Sequence, residues 1–173
     1  IIKKSSNKNH KLCFFSGYDC DSLALEKITN FLKVFLRTFE KINNAYLEVR
    51  TKSTNIGVFK SIKPMKNVII AYSLNPEIIV KEFEQKTPTL KKRINSINSL
   101  QKLGWQVGLR FDPLINYSKN KLIYKKFFHF IFNKIQVEKI HSVTTGRFRM
   151  PNSFFNKLVN IRPEDSLVFN KLK

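Results

Sequence analysis

The chain has 173 residues, 42% of them hydrophobic and 13% aromatic, with only 5 Gly and 6 Pro, so it can bury one domain's core and is not an extended disordered protein. Lysine and arginine outnumber the acids 32 to 12, and a formal charge of +20 points to a polyanionic partner, DNA or RNA first; a genome rich in Lys, Asn and Ile codons is the competing explanation. Cys13 and Cys20 make neither a disulfide framework nor a C-x-x-C metal pair, which fits a reducing, cytoplasmic setting, and no apolar run reaches the roughly 18–20 residues of a membrane span.

Residues 1–10 form a polar lead-in, and the opening Ile1, not a methionine, suggests a portion of a longer protein. Residues 11–15 form a short buried strand in which Cys13 is a small core residue. After a turn at 16–21, Asp21 or Ser22 caps one helix running to about residue 40, with Ala24, Ile28, Phe31, Leu32, Phe35 and Phe39 on its inner face. The alternation of Ala45-Tyr46-Leu47-Glu48-Val49-Arg50 predicts a second strand, closed by Thr51-Lys52-Ser53. A short helical turn over 54–60 follows, then a break at Pro64.

Residues 67–72, nearly all apolar, predict a third strand ending in Ser73-Leu74-Asn75-Pro76. A polar connection with Glu82, Glu84 and Lys86 leads to Thr87-Pro88, read as N-cap and first-turn proline of a helix that stops at Gly104. The fourth strand covers 105–111 and ends in Asp112-Pro113. A loop and a Phe-rich helix follow over 117–133, then a fifth strand over 138–143 ending in Thr144-Thr145-Gly146-Arg147. Pro151-Asn152-Ser153 opens a last short helix.

Strands alternating with helical segments predict an α/β fold with a parallel sheet, either barrel-like or doubly wound. A single polar strand end is usually a solvated terminus. Five of them on one rim, carrying Cys20 and Asp21, Thr51 and Lys52, Ser73 and Asn75, Arg110 and Asp112, and Thr145 and Arg147, predict a ligand-binding mouth.

No dinucleotide fingerprint, phosphate loop or nucleophile elbow is present. His10, His129 and His141 have no partner at informative spacing and read as core or surface residues. Cys20 lies between Asp19 and Asp21, whose charges raise a thiol pKa rather than activate it. A conventional acid–base hydrolase is not indicated.

Five segments occur in a familiar order: Asp21-Ser22-Leu23-Ala24-Leu25-Glu26, Val49-Arg50-Thr51-Lys52-Ser53, Ser73-Leu74-Asn75-Pro76, Gly108-Leu109-Arg110-Phe111-Asp112-Pro113 and Thr145-Gly146-Arg147-Phe148-Arg149. Together they resemble the spore photoproduct lyase group of radical S-adenosylmethionine enzymes, over about residues 11–166. The resemblance implies a single domain, an incomplete parallel (β/α)6 partial barrel whose five strands correspond to the second to sixth of the family. The family's loop after the first strand holds a [4Fe–4S] cluster through a C-x3-C-x2-C motif. That motif is missing from this sequence, so the chain contains no metal ligands and is expected to be inactive alone, as a fragment or a degenerate relative.

The resemblance further implies S-adenosylmethionine in the mouth. Lys52 matches the lysine that pairs with the methionyl carboxylate, Ser73 matches a cofactor-binding serine, and Cys20 stands where another such serine is usual; Asn75 is counted with them. The lyases proper carry a hydrogen-donating cysteine two residues before that serine, where this chain has Tyr18. The resemblance then implies either membership of a broader lyase-like branch with another substrate and no assigned catalytic residue, or a radical-quenching role taken over by Cys20 or Tyr18. Arg110, Arg147 and Arg149 have no role carried over from the family; their charge suits a phosphate-bearing substrate, the alternative being an ion pair with Asp112. For the family, the chemistry is radical cleavage of a linked thymine dimer in DNA, begun by the 5′-deoxyadenosyl radical. The alternative from another class is a non-catalytic, basic nucleic-acid-binding α/β module.

Overall fold

The structure, a computed structural model, describes residues 12–17, 20–115, 121–148 and 150–164. Five strands, β1 (Leu12–Ser16), β2 (Ala45–Thr51), β3 (Val68–Ser73), β4 (Gln106–Leu114) and β5 (Ile140–Arg147), form one parallel sheet in the order β1-β2-β3-β4-β5. Register runs Phe15 to Glu48, Arg50 to Ala71, Ser73 to Arg110 and Arg110 to Thr144. Parallel strands taken in sequence order, with no reversal, carry every right-handed crossover to the same side. The sheet therefore curls into a half-barrel, and the doubly wound alternative is set aside.

Seven helices are described, and side chains from several of them cover the convex side. The helices are α1 (Glu26–Thr29), α2 (Phe31–Phe39), α3 (Gly57–Lys60), α4 (Glu77–Phe83), α5 (Leu90–Lys102), α6 (Lys121–Phe132) and α7 (Asn152–Ile161). Alternate residues of each strand meet them: Leu47 and Val49, Val68, Ile70 and Tyr72, and Val107, Leu109 and Phe111 join Leu32, Leu36, Ile94, Ile97 and Phe127 in one core. Trp105 closes its lower end, donating its indole N–H to the Phe59 carbonyl at 2.9 Å with the two rings edge to face. The opposite parity of the strands points into the concave side, where Glu48, Arg50, Arg110 and Ser142 lie among the apolar Phe15, Tyr46 and Ile69.

The structure corrects several sequence expectations. The helix expected from residue 21 to 40 is broken at Asn30, whose φ of 50° is left-handed. Behind the break, the buried carboxylate of Glu26 accepts the N–H groups of Leu32 (2.7 Å) and Lys33 (3.0 Å), donors that the new helix start would otherwise leave unpaired. The break shifts the helical phase. Leu23, Leu32, Leu36 and Phe39 face the core, while Ala24, Ile28 and Phe31 are exposed.

The connection containing Glu82 and Glu84 holds α4, which buries Ile79 and Val80. The N-cap of α5 is Thr89, not Thr87: its hydroxyl accepts from the Lys92 N–H at 3.4 Å. Cys13 is exposed on the concave side, not a core residue. His10, Lys11 and Tyr117 lie outside the described residues.

Candidate functional site

The carboxyl end of β1 turns sharply at Gly17, with φ of 82°. A Cβ there would lie 2.6 Å from the Arg50 carbonyl and 2.8 Å from that of Cys20, so only glycine lets the turn pass this close to β2. Asp21 then ties the loop down. Its Oδ1 accepts from the Leu23 N–H and the Thr51 hydroxyl, both at 2.8 Å, and its Oδ2 accepts the Lys52 N–H at 2.6 Å. Beyond Lys52, the Tyr72 hydroxyl donates to the Ser53 carbonyl at 2.9 Å, and burial pushes that phenol's pKa up, keeping it a donor.

These contacts form a cleft of about 330 Å³ at the carboxyl rim, lined by Cys20, Asp21, Arg50, Lys52, Ser73 and Asp112, with Gly17 and Thr51. Of the residues expected to bind a cofactor, Cys20, Lys52 and Ser73 are brought together. Asn75 is not: it is buried behind the cleft wall, where its amide donates to Glu84 Oε1 at 2.9 Å and its own carbonyl oxygen has no hydrogen-bond partner. Tyr18 and Arg149 lie outside the described residues, and Arg147 is exposed at the end of β5.

Lys52 reaches the cleft from a buried charge network. Its ammonium sits 3.1 Å from Glu84 Oε1, with the side chain about one third exposed. Glu84 Oε2 accepts from Arg93, which is fully buried and also donates to the carbonyls of Pro88 (2.9 Å) and Ser73 (3.0 Å) and to the Thr87 hydroxyl (2.8 Å). Burial raises the Glu84 pKa, but Lys52 and Arg93 outweigh it and hold the carboxyl below its ordinary value. Two cations on one carboxylate leave one net positive charge, and only Lys52 has surface on which to present it. The sequence reading missed this network, although a signal existed: Arg93 occupies a stripe position between Leu90, Ile94 and Ile97, where a charge needs a buried partner.

A second network lies on the concave side. Arg110 does not pair with Asp112, nor does it offer its charge to the rim. It is 5% exposed, and it engages Glu48 through Nε (3.0 Å) and Nη2 (2.7 Å), with Ser142 Oγ at 3.1 Å. Gly108 makes this possible, because a Cβ there would lie 2.9 Å from the guanidinium. Glu48 also accepts from Arg50 Nε at 2.7 Å, and the Arg50 guanidinium lies 5.0 Å from the centre of the Phe15 ring. Burial raises the Glu48 pKa, and the hydrogen bonds from Arg110 and Arg50 bring it below the ordinary carboxylate value. Cys13, Phe15 and His141 border the same concave hollow, of about 450 Å³.

The rim cleft is lined, among the described residues, by one thiol, that of Cys20, and by no imidazole. Among the described residues, no three His, Cys, Asp or Glu side chains cluster as metal ligands, and no helix is long and apolar enough to cross a membrane. The arrangement lines the cleft with two cations (Arg50 and Lys52), two hydroxyls (Thr51 and Ser73) and two carboxylates (Asp21 and Asp112), a set suited to a zwitterionic or polar small molecule.

Residues 5–158 match the family model for spore photoproduct lyase. The spore photoproduct lyase of Clostridium acetobutylicum is 22% identical over 148 residues, 85% of this chain and 44% of that protein. A double mutant of spore photoproduct lyase, solved with bound AdoMet and dinucleoside spore photoproduct, superposes with a TM-score of 0.79 at 14% identity, over 94% of this chain and 49% of that one. A spore photoproduct lyase complexed with dinucleoside spore photoproduct gives 0.77 over the same shares. The chain thus spans about half the length of the relatives it matches. The solved structures confirm the five-stranded half-barrel, and the match over most of the sequence decides the kinship: this chain belongs to the spore photoproduct lyase family.

Proposed function

We propose that this chain is the S-adenosylmethionine-binding portion of a radical lyase that repairs spore photoproduct, a crosslinked thymine pair, in DNA. The observation that carries the reading is Lys52, a partly exposed ammonium fixed on the cleft wall beside Ser73 and Cys20. Lys52 would hold the methionyl carboxylate, and the Ser73 and Cys20 side chains are placed to contact the rest of the molecule. When bound, S-adenosylmethionine supplies the adenosyl fragment that begins radical chemistry. Cys20, open to the cleft, is the described candidate for returning a hydrogen atom.

The residues present do not fit an iron–sulfur cluster. The sequence has two cysteines, Cys13 on the concave side and Cys20 at the rim, and no C-x3-C-x2-C motif. We therefore assign no cluster to this chain and expect it to bind the cofactor without running the reaction by itself. The charge of +20 supports DNA as partner, and a DNA-repair role supports a cytoplasmic setting. A crosslinked, poorly stacked lesion is also easier to extrude from the duplex than an intact base pair.

Titration calorimetry with S-adenosylmethionine tests the assignment. Saturable binding to the wild type, weakened in Lys52→Ala by about 1.5–3 kcal/mol for a lost charged hydrogen bond, is the expected result. Unchanged affinity in Lys52→Ala would remove the basis for the reading and leave the basic nucleic-acid-binding module in its place.

A further inference from the structure

We infer that Glu84 is a positioning residue of the rim cleft, holding the Lys52 ammonium where a ligand carboxylate docks. The inference rests on the cofactor reading above and adds to it a residue that does not line the cleft. The argument begins with the freedom of lysine. A lysine side chain has four rotatable bonds, and confining it on binding costs affinity unless something has already confined it. Here Glu84 Oε1 receives the ammonium at 3.1 Å, and Glu84 is itself immobile, taking Asn75 on the same oxygen and Arg93 on the other.

Arg93 does double duty. Its Nη1 donates to the Ser73 carbonyl, so the same buried pair that places Lys52 also fixes the strand end that presents the Ser73 hydroxyl. Arg93 neutralises Glu84 where no solvent reaches, so the charge of Lys52 stays available to the cleft. An ammonium has three donors, and the ion pair with Glu84 engages one side of it at most, leaving at least two donors for an incoming carboxylate. Ligands carrying an aminocarboxylate should therefore gain from Glu84, and ligands lacking one should not.

Two ligands that differ in this group make the test: S-adenosylhomocysteine, and 5′-methylthioadenosine, which keeps the adenosine and the thioether only. Their affinities would be measured by calorimetry for the wild type, Lys52→Ala, Glu84→Gln and the double variant. The expected result is that Glu84→Gln loses several-fold in affinity for S-adenosylhomocysteine and nothing for 5′-methylthioadenosine. The double variant should then lose no more than Lys52→Ala alone, because both changes remove the same placed charge.

Equal losses for the two ligands, or additive losses in the double variant, would overturn the inference by showing Glu84 to be merely structural. Full carboxylate selectivity in Glu84→Gln would overturn it while leaving the cofactor reading intact. No selectivity in the wild type would instead overturn the cofactor reading, and the inference with it. Glu84→Gln strands a buried Arg93, so Glu84→Asp, which keeps the charge for Arg93 and draws the acceptor back from Lys52, serves if the single variant does not fold; the same selective loss is expected of it.

Discussion

Arg110 on β4 and Glu48 on β2 meet across the intervening strand β3 in a two-point ion pair, 2.7 Å from Nη2 to Oε2 and 3.0 Å from Nε to Oε1. They can reach each other because Ala71 and Gly108, in register with Arg50, leave the sheet nearly bare between them. Glu48 serves two guanidiniums, whereas Arg110 depends on one carboxylate, and the two deletions should therefore differ. Glu48→Met leaves Arg110 buried without a counter-charge and should cost about 3–5 kcal/mol. Arg110→Met leaves Glu48 paired with Arg50 and should cost less, on the order of 1–3 kcal/mol. Urea denaturation of both variants measures the difference; equal midpoints would count against an asymmetric sharing of Glu48.

The same carboxylates set an acid limit. Glu48 and Glu84 both have folded-state pKa values held below the ordinary 4.5 by their cationic partners. A depressed carboxyl stabilises the fold above its unfolded value and loses that contribution as pH falls through the folded value. Melting temperature should therefore be nearly flat from neutral pH to about pH 5 and fall below pH 4.5, the unfolded-state value. Self-repulsion among the many lysines pulls in the same direction. Glu48→Gln separates the two effects, because it should flatten only the part that Glu48 contributes. An identical acid slope in that variant would exclude Glu48 as a source.

The strands were legible in the sequence because β2 and β4 alternate and β3 is an apolar run, all three closed by polar residues. The rim followed from them: Cys20, Lys52 and Ser73 come together because parallel strands in sequence order deliver their carboxyl ends to one edge. What could not be read depends on backbone events or distant partners. Asn30 looks like any helical asparagine until its left-handed φ breaks the helix. Residues 12–16, LCFFS, are apolar at three of the four positions after the first, so periodicity could not say which side Cys13 faces. Glu84 read only as part of a polar connection; the stripe position of Arg93 signals a buried partner, but which acid it meets appears only when α4 and α5 are laid against β3.

Gly17 offers a test of the rim that involves no charge. An alanine there would be held at a φ of 82°, which costs roughly 1–2 kcal/mol for an L-residue. Its Cβ would also press on two backbone carbonyls, neither of which can swing away as a side chain does. Gly17→Ala should lower the melting temperature by at least about 2–4 °C, the shift that roughly 1 kcal/mol produces in a domain of this size. It should also weaken ligand binding at the cleft. A melting temperature equal to that of the wild type would mean that the turn into Asp21 is not as tight as described.

Cys13 makes the placement of β1 testable by chemistry. Its thiol opens on the concave side, so it should react with an aromatic disulfide reagent in the native protein, with no denaturant. Partial burial raises its pKa above the ordinary 9.0, and the Glu48 carboxylate pushes the same way, while Arg110 and Arg50 oppose them. The thiolate is the reactive form, so the reaction at neutral pH should be slower than that of a free thiol and should quicken as pH rises. Measured in a Cys20→Ser background to isolate one thiol, the rate should rise several-fold in Glu48→Gln, which removes the carboxylate and leaves the two guanidiniums. A native Cys13 that reacts only after unfolding would put its side chain in the core and reverse the facing of β1. A rate indifferent to Glu48→Gln would leave the facing intact but separate the thiol from the Glu48 network.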